Sequence, residues 1–373
     1  MRVLVWQWGR FGSGARYAFE LARALEKECG YETLLSLAEG AELLQTPALQ
    51  KAVDLPIKTY TDARQFLLRS LQIGRILRPI VARLEATPPD AAIVTMMGYW
   101  DIMLARHLKR MGVPIVVMVH DAEVHPGDQF HLAVHLQRRL VRLSAGVVTL
   151  TDYVAWLAQR RLSFAGKVHA TIPHVVLDFD DLDLSAPVPL EAAPGRPLRL
   201  LMAGRLKRYK GLKLLADALK RLGDVPYSLR VVGAAPDPSE ITPLTDLPGI
   251  EFDLGWKSDK ELMTHLDWAD ACILPYVEAS QSGVAPLAFK RGRSVIATPV
   301  GGLPEQIEHE HTGLIADAVS ADALAACIKR FALDRDLLIA CATNARAEAE
   351  GPLSWKALAP HFARVLKKVA RRS

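Results

Sequence analysis

Short apolar runs alternate with helical patterns along most of the chain. VLVW (3–6), AAIVTMM (91–97), PIVVMVH (114–120) and GVVTL (146–150) read as strands, with helices expected near 15–28 and 101–111. Runs this short, continuous and rich in Val and Ile suit strands covered on both faces, hence a parallel sheet wound with helices. Over 177–197, LDFDDLDLSAPVPLEAAPGRP, acids and prolines replace the pattern and a linker is expected. The alternation then restarts: LRLLMAG (198–204), a helix at 213–223, SLRVVG (228–233), IEFDLG (250–255), a helix near 258–268, DACILPYV (270–277), a helix near 285–291 and SVIAT (294–298).

The pattern predicts an α/β chain of two Rossmann-like doubly wound parallel-sheet domains with an interdomain cleft, where the carboxyl ends of the strands face a ligand. The domains are expected at 1–176 and 198–352, joined by the linker 177–197. A final helix with a basic tail, 353–373, is expected to pack back on the first domain. A length of 373 residues agrees, since it exceeds the usual single core.

Composition adds little to this picture and charge adds more. Half of the residues are hydrophobic and 23% are charged, as in ordinary globular proteins. No run approaches the roughly 18 apolar residues of a membrane span, and the greasy start is too short for a secretory signal, so a cytoplasmic chain is expected. Cys29, Cys272, Cys327 and Cys341 are scattered without CxxC pairing, which disfavours a zinc site or disulfide framework and leaves reduced core residues.

The net charge of +5 is uneven: residues 1–170 hold 21 Lys and Arg against 15 Asp and Glu, and the remainder is nearly balanced. Within the basic half, ARQFLLRSLQIGRILRPIVARL (63–84) sets Arg64, Arg69, Arg75, Arg78 and Arg83 opposite Leu67, Ile73, Leu77, Ile80, Val81 and Leu84. This predicts one basic amphipathic helix, kinked at Pro79. It is either a solvated face or a docking face for an anionic membrane, peripheral at the inner leaflet. No zinc finger, basic zipper or aromatic RNA-binding motif accompanies the charge, so nucleic acid is not an expected partner.

Chemistry is expected in the loops after strands. QWGRFGSGARY (7–17) places Gly12 and Gly14 ahead of a helix; its spacing is not that of a dinucleotide fingerprint, and a tight turn is the plain alternative. In RLKRYKG (205–211), Arg205 and Lys210 can present two cations to one diphosphate, with Lys207 and Arg208 as solvated companions. His120 closes a strand beside Asp121, Glu123 and His125, a polar group able to meet a sugar hydroxyl or departing oxygen. In EASQSGVAPLAFKRG (278–292), Glu278 follows a strand, and the backbone N–H groups of Ser282, Gly283 and Val284 open a helix suited to an anion. A sugar diphosphate satisfies both the carboxylate and the anion site.

Taken in order, the glycine loop, VHDAEVHPGD, IPHVV (172–176), AGRLKRYKGL (203–212), VVG (231–233), LPYVEASQSG (274–283) and VIATPVGGLPE (295–305) resemble glycosyltransferase family 4 over nearly the whole chain. The resemblance is to retaining group 1 glycosyltransferases of the GT-B fold, of the bacterial polysaccharide-assembly type. It implies an acceptor-binding first domain and a nucleotide-sugar-binding second one. It also implies a donor site of Gly12, Gly14, Arg205, Lys210, Gly233, Trp256, Glu278, Ser282, Gly283 and Val284. His120, Glu278, Arg205 and Lys210 would be its catalytic groups, with Asp121, Glu123 and His125 on the acceptor side. Glu278 resembles the first glutamate of the family's Glu-x7-Glu motif. The second is missing, because Pro286 and Leu287 occupy its place, so ribose recognition must differ.

The implied mechanism is front-face transfer of a hexose from a UDP- or GDP-linked donor to a lipid-linked or glycan acceptor. Electrostatic support of the leaving diphosphate is its main requirement, with no metal or other cofactor. The acids of DFDDLD (178–183) superficially resemble a metal motif but lie in the expected linker. A nucleotide-sugar epimerase or hydrolase of the same fold, or an inactive nucleotide-sugar-binding scaffold, are the alternatives.

Overall fold

The computed structural model describes residues 1–45, 47–123, 131–182, 186–190 and 195–372. They form two compact units, each built on one six-stranded sheet in which every pairing is parallel. The two six-strand parallel sheets define the α/β class.

The first unit comprises Met1–Val124, Phe130–Pro173 and Trp355–Ser373. Its strands are β1 (Arg2–Gln7), β2 (Glu32–Leu37), β3 (Ala91–Val94), β4 (Ile115–Val119), β5 (Gly146–Thr149) and β6 (Val168–Thr171), ordered β2-β1-β3-β4-β5-β6. The strand order therefore reverses between β1 and β3, which opens a crevice at their carboxyl ends. The closing helix Trp355–Ala370 belongs to this unit and packs on the helix Gly14–Cys29. Trp355 donates its indole N–H to Glu20 Oε2 at 2.8 Å, and the Tyr17 ring stands edge-on to Trp355 and Phe362.

The second unit holds His174–Ser354. Its strands are β7 (Leu198–Ala203), β8 (Tyr227–Gly233), β9 (Ile250–Leu254), β10 (Ala271–Leu274), β11 (Ser294–Ala297) and β12 (Gly313–Ile315), ordered β12-β11-β10-β7-β8-β9. Here the reversal falls between β7 and β10. The segment expected as a linker is not a free tether: Leu177 and Phe179 are buried, and Lys290 pairs with Asp178 at 3.4 Å. Further along, Arg293 donates to the Val188 carbonyl at 2.7 Å.

Three strands escaped the apolar pattern, β2, β6 and β12, and all three are sheet edges. Thr33 and Ser36 interrupt β2, His169 and Thr171 leave β6 half-covered, and β12 has only three residues. An edge strand has one neighbour and does not need an unbroken apolar run.

The stretch 63–84 is not one helix kinked at proline. It forms Ala63–Ser70 and Ile73–Ala86, broken at Leu71 and Gln72, while Pro79 sits inside the second helix. The predicted apolar face divides with it. Ile73, Leu77, Ile80, Val81 and Leu84 enter the core, whereas Leu67 is 67% exposed, alongside Leu68 and Leu71 at 54% and 86%. Of the four cysteines, Cys272, Cys327 and Cys341 are buried and Cys29 is only half-buried; all are free thiols. No described helix is long and apolar enough to cross a membrane.

The amino end of β10 carries a buried ion cluster. Asp270, with no exposed surface, accepts from Arg196 at 2.8 and 3.0 Å, from Arg199 at 3.2 Å and from the Arg199 backbone N–H at 2.8 Å. Arg335 lies 3.7 Å away. Removing the carboxylate strands partly buried guanidinium groups without their counter-charge. Asp270→Ala is therefore expected to lower unfolding free energy toward the lower end of the roughly 3–5 kcal/mol typical of a broken buried pair, read by urea denaturation.

Candidate functional site

In the second unit the loops after β7 and β10 flank the reversal point and are stitched together by backbone. Val277 N–H donates to the Tyr209 carbonyl at 2.9 Å. Gly211, at φ +71°, lies so close that a Cβ there would overlap the Pro275 carbonyl oxygen, so only glycine permits the approach. This places Lys210 against the face of Tyr276, its Nζ 3.8 Å from the ring centroid and 5.2 Å from that of Tyr209. At 9% exposure the ammonium is largely removed from water, and the two aromatic faces offset part of that cost. Arg205, by contrast, is exposed, with no hydrogen-bond or ion-pair partner among the described residues. Lys207, expected to be solvated, is half-buried, and burial lowers its pKa.

The loop 275–283 is fixed from two further directions. Thr298 Oγ1 donates to the Tyr276 carbonyl at 2.5 Å. Gln306 clamps Ser282 as one peptide would clamp another, accepting from its N–H at 2.7 Å and donating to its carbonyl at 3.1 Å. Ser282 Oγ lies 3.2 Å from the Tyr276 hydroxyl and accepts from Val284 N–H at 3.2 Å. Burial raises the Tyr276 pKa, so the phenol keeps its proton.

These bonds correct one expectation. Of the three N–H groups at 282–284 assigned to an anion, those of Ser282 and Val284 are already bound within the chain, leaving Gly283 on the exposed rim. Glu278 is half-buried beside them, and Pro286 and Leu287 lie in the helix Val284–Lys290.

Gly233 is needed for backbone packing. At φ +124°, a Cβ there would overlap the Gly204 carbonyl, and the ends of β7, β8 and β9 are linked by Gly204 N–H to Val232 and Gly255 N–H to Gly233, each 3.0 Å. Trp256, after β9, is 51% exposed, which removes core packing as its role.

The first unit presents different chemistry at its own reversal point. Gly12 adopts φ +81° over open space, whereas Gly14 makes room for Gln7, whose Nε2 would stand 2.9 Å from a Cβ at position 14. The buried Gln7 Oε1 and Thr95 Oγ1, at the ends of β1 and β3, have no hydrogen-bond partner among the described residues. His120 donates its Nε2 proton to the Thr95 carbonyl at 2.6 Å, and burial lowers its pKa, so the ring is held neutral with one nitrogen committed. Asp121 receives Gln137 Nε2 on its carbonyl at 2.9 Å. Glu123 is paired with Arg161, which neutralises the acid expected on the acceptor side; His125 lies outside the described residues.

A group that the sequence reading missed is Asp101. It is fully buried in the first turn of the helix Asp101–Arg110 and accepts from Trp6 Nε1 at 3.2 Å and Gly98 N–H at 2.5 Å. Burial pushes its pKa up to about 7 against those two hydrogen bonds. Among the described residues no three His, Cys, Asp or Glu side chains are grouped so as to hold a metal ion.

Two family profiles match the chain. That for "Glycosyl transferase 4-like domain" covers residues 12–173, and that for "Glycosyl transferases group 1" covers 197–334. With the two parallel sheets, they establish that the chain belongs to the group 1 glycosyltransferases of the GT-B fold. It is 27% identical over 328 residues to the colanic acid biosynthesis glycosyltransferase WcaL of Escherichia coli, covering 84% of this chain and 77% of that protein. It is 27% identical over 337 residues to the amylovoran biosynthesis glycosyltransferase AmsK of Erwinia amylovora, covering 81% and 78%. The Anabaena protein HepE, solved with UDP-glucose, superimposes with a TM-score of 0.70 at 17% identity over 99% of this chain and all of that one, a likeness of fold.

Asp101 makes stability pH-dependent in a defined direction. Its folded pKa of about 7 exceeds the ordinary carboxylate value, so the folded state binds the proton more tightly and stability falls as pH rises between about 4 and 7. Asp101→Asn removes that dependence. The stability of the variant relative to wild type should therefore rise across this window and level off above it, measured by urea denaturation at stepped pH.

Proposed function

We propose that this chain is a retaining hexosyltransferase using a UDP- or GDP-linked sugar and a lipid-linked or glycan acceptor in bacterial exopolysaccharide or lipopolysaccharide assembly. The observation that carries the donor assignment is the pair of cations beside the β7/β10 reversal point: Lys210 pinned over Tyr276, and Arg205 exposed without a hydrogen-bond or ion-pair partner among the described residues. A diphosphate is the ligand whose charge and size suit one fixed and one bidentate cation. The relatives named for colanic acid and amylovoran biosynthesis support the polysaccharide setting.

In this reading the bond from the anomeric carbon to the diphosphate breaks while the acceptor oxygen bonds on the same face. The acceptor's proton passes to the departing diphosphate. Arg205 and Lys210 stabilise the charge that develops there, which is the role a divalent metal would otherwise fill, so the reaction is proposed to be metal-independent. Glu278 orients the donor sugar through its hydroxyls, and neutral His120 supports the reacting face. The exposed indole of Trp256 offers a stacking surface for the base.

The same proposal places the protein in the cytoplasm, peripheral at the inner membrane face. Leu67, Leu68 and Leu71 stand exposed among Arg64, Arg75, Arg78 and Arg83, all exposed, while Arg69 donates to the Lys58 carbonyl at 3.0 Å. Exposed leucines flanked by arginines match an anionic lipid surface in both polarity and charge.

A screen of UDP- and GDP-sugars, reading release of the nucleoside diphosphate with membrane extract as acceptor source, tests the donor assignment. Lys210→Ala should lower kcat/KM by about 10²–10³; full activity in the variant would remove the assigned role. Epimerised sugar formed without acceptor would favour an epimerase instead. For the membrane, co-sedimentation with anionic vesicles should weaken with added salt and in Leu67→Ser/Leu71→Ser. Binding indifferent to lipid charge and salt would refute the electrostatic account.

A further inference from the structure

Tyr276 joins the two loops of the candidate donor site while itself staying out of reach of a ligand. It is 1% exposed. Its ring faces the ammonium of Lys210, with Nζ 3.8 Å from the centroid, well inside the roughly 6 Å over which an aromatic face attracts a cation. Its hydroxyl lies 3.2 Å from Ser282 Oγ, just ahead of the helix Val284–Lys290. Ring and hydroxyl thus connect the loop after β7 to the loop after β10.

The ring is held in place by contacts other than that with Lys210. Tyr209 stands edge-on to it, with centroids 6.2 Å apart and planes at 78°, and Thr298 Oγ1 donates to the Tyr276 carbonyl at 2.5 Å. Ser282, at the far end of the hydroxyl contact, is clamped by Gln306 through both its N–H and its carbonyl. Burial raises the phenol pKa, so the ring stays neutral and meets the ammonium with the negative face of its π system. Lysine is a point charge on a flexible stem and is seldom as buried as Lys210, at 9% exposure. An aliphatic residue at position 276 would fill the space beneath it and would not attract the charge.

We infer that Tyr276 is a positioning residue for the transfer: its ring fixes the Lys210 ammonium at the proposed diphosphate position, and its hydroxyl ties that position to the clamped Ser282 loop. The inference rests on the donor reading given above and deepens it, since Lys210 supplies the charge and Tyr276 sets where the charge stands. A cation already held loses little freedom when a diphosphate binds, and it needs no reorganisation as negative charge grows on the leaving group. Binding of a nucleoside diphosphate therefore depends on the electron density of a ring that the nucleotide never touches. The hydroxyl matters less for this than the ring, because phenylalanine presents the same face to the ammonium.

The test reads UDP and GDP affinity of the full chain by calorimetry, with position 276 occupied by phenylalanine or by phenylalanine carrying one, two or three fluorine atoms on the ring. Fluorine withdraws electron density from the ring face and barely alters its shape, so packing is kept throughout the series. Affinity for whichever nucleotide binds wild type should change less than about threefold in Tyr276→Phe and fall stepwise with each fluorine, by about tenfold or more at three. In a Lys210→Met background the same series should be flat, which a merely structural role for Tyr276 does not produce. Independently of any nucleotide, NMR of the chain labelled at its lysine methylenes should show the Lys210 ε-protons, identified by their loss in Lys210→Met, shifted upfield of the other lysines by the ring. A series without slope, an equal slope in Lys210→Met, or Lys210 ε-protons at the ordinary lysine position would each overturn the inference. Wild type that shows the upfield signals but binds neither nucleotide would overturn the donor reading, and the role in transfer with it, leaving only the contact between ring and ammonium.

Discussion

The candidate donor site depends on a contact in which no side chain takes part: the backbone of Gly211 against the carbonyl of Pro275. Parallel strands β7 and β10 are neighbours in the sheet but far apart in sequence, so their carboxyl-end loops meet only if the two backbones can touch. A side chain at position 211 would force them apart. With the contact made, Tyr209 and Val277 form a backbone hydrogen bond, and Lys210 is laid across Tyr276. Gln306 and Thr298 then hold the second loop from behind, through Ser282 and the Tyr276 carbonyl. The cation is thus positioned before any ligand arrives, which is the condition under which it stabilises a developing charge most effectively.

The first unit shares the parallel α/β plan but not the strand order, and it carries different chemistry at its reversal point. Its strand order also reverses once, between β1 and β3, and its loops also gather at that point. There the walls are Trp8, Tyr60, Phe66, Tyr99 and Trp100, with hydroxyls in place of cations. The buried carboxylate of Asp101 ties the Gly98 backbone to the Trp6 indole, and so fixes the loop that carries Tyr99 and Trp100. A charge of raised pKa buried at that place is tolerated because two donors converge on it.

What could be read from the chain alone followed from how many neighbours each element has. The inner strands β1, β3, β4, β5, β7, β8, β10 and β11 have partners on both sides, and their apolar runs announce them. Of the four edges, β9 was legible as IEFDLG, whereas β2, β6 and β12 went unseen, since one open side relaxes that demand. The break at Leu71 and Gln72 was unreadable for a related reason: periodicity records only which residues are apolar. Leu67 and Leu77 look alike in sequence, yet one faces solvent and the other the core.

By itself, the sequence determined the two-fold α/β alternation, the loops that follow strands, and the presence there of Arg205, Lys210, His120 and Glu278. Those features are local: a run, a spacing, a residue type at a strand end. Only the tertiary structure decided that Ser282 and Val284 have no N–H to spare, that Gln306 is the clamp, and that Glu123 is neutralised by Arg161. It also decided that Trp8, Tyr60 and Tyr99, drawn from three distant segments, line one cavity. The physical reason is common to all of them. Whether a polar group is available or already bound, and whether an aromatic ring is core or wall, depends on what lies opposite it in space, and in parallel sheets that neighbour comes from a part of the chain dozens of residues away.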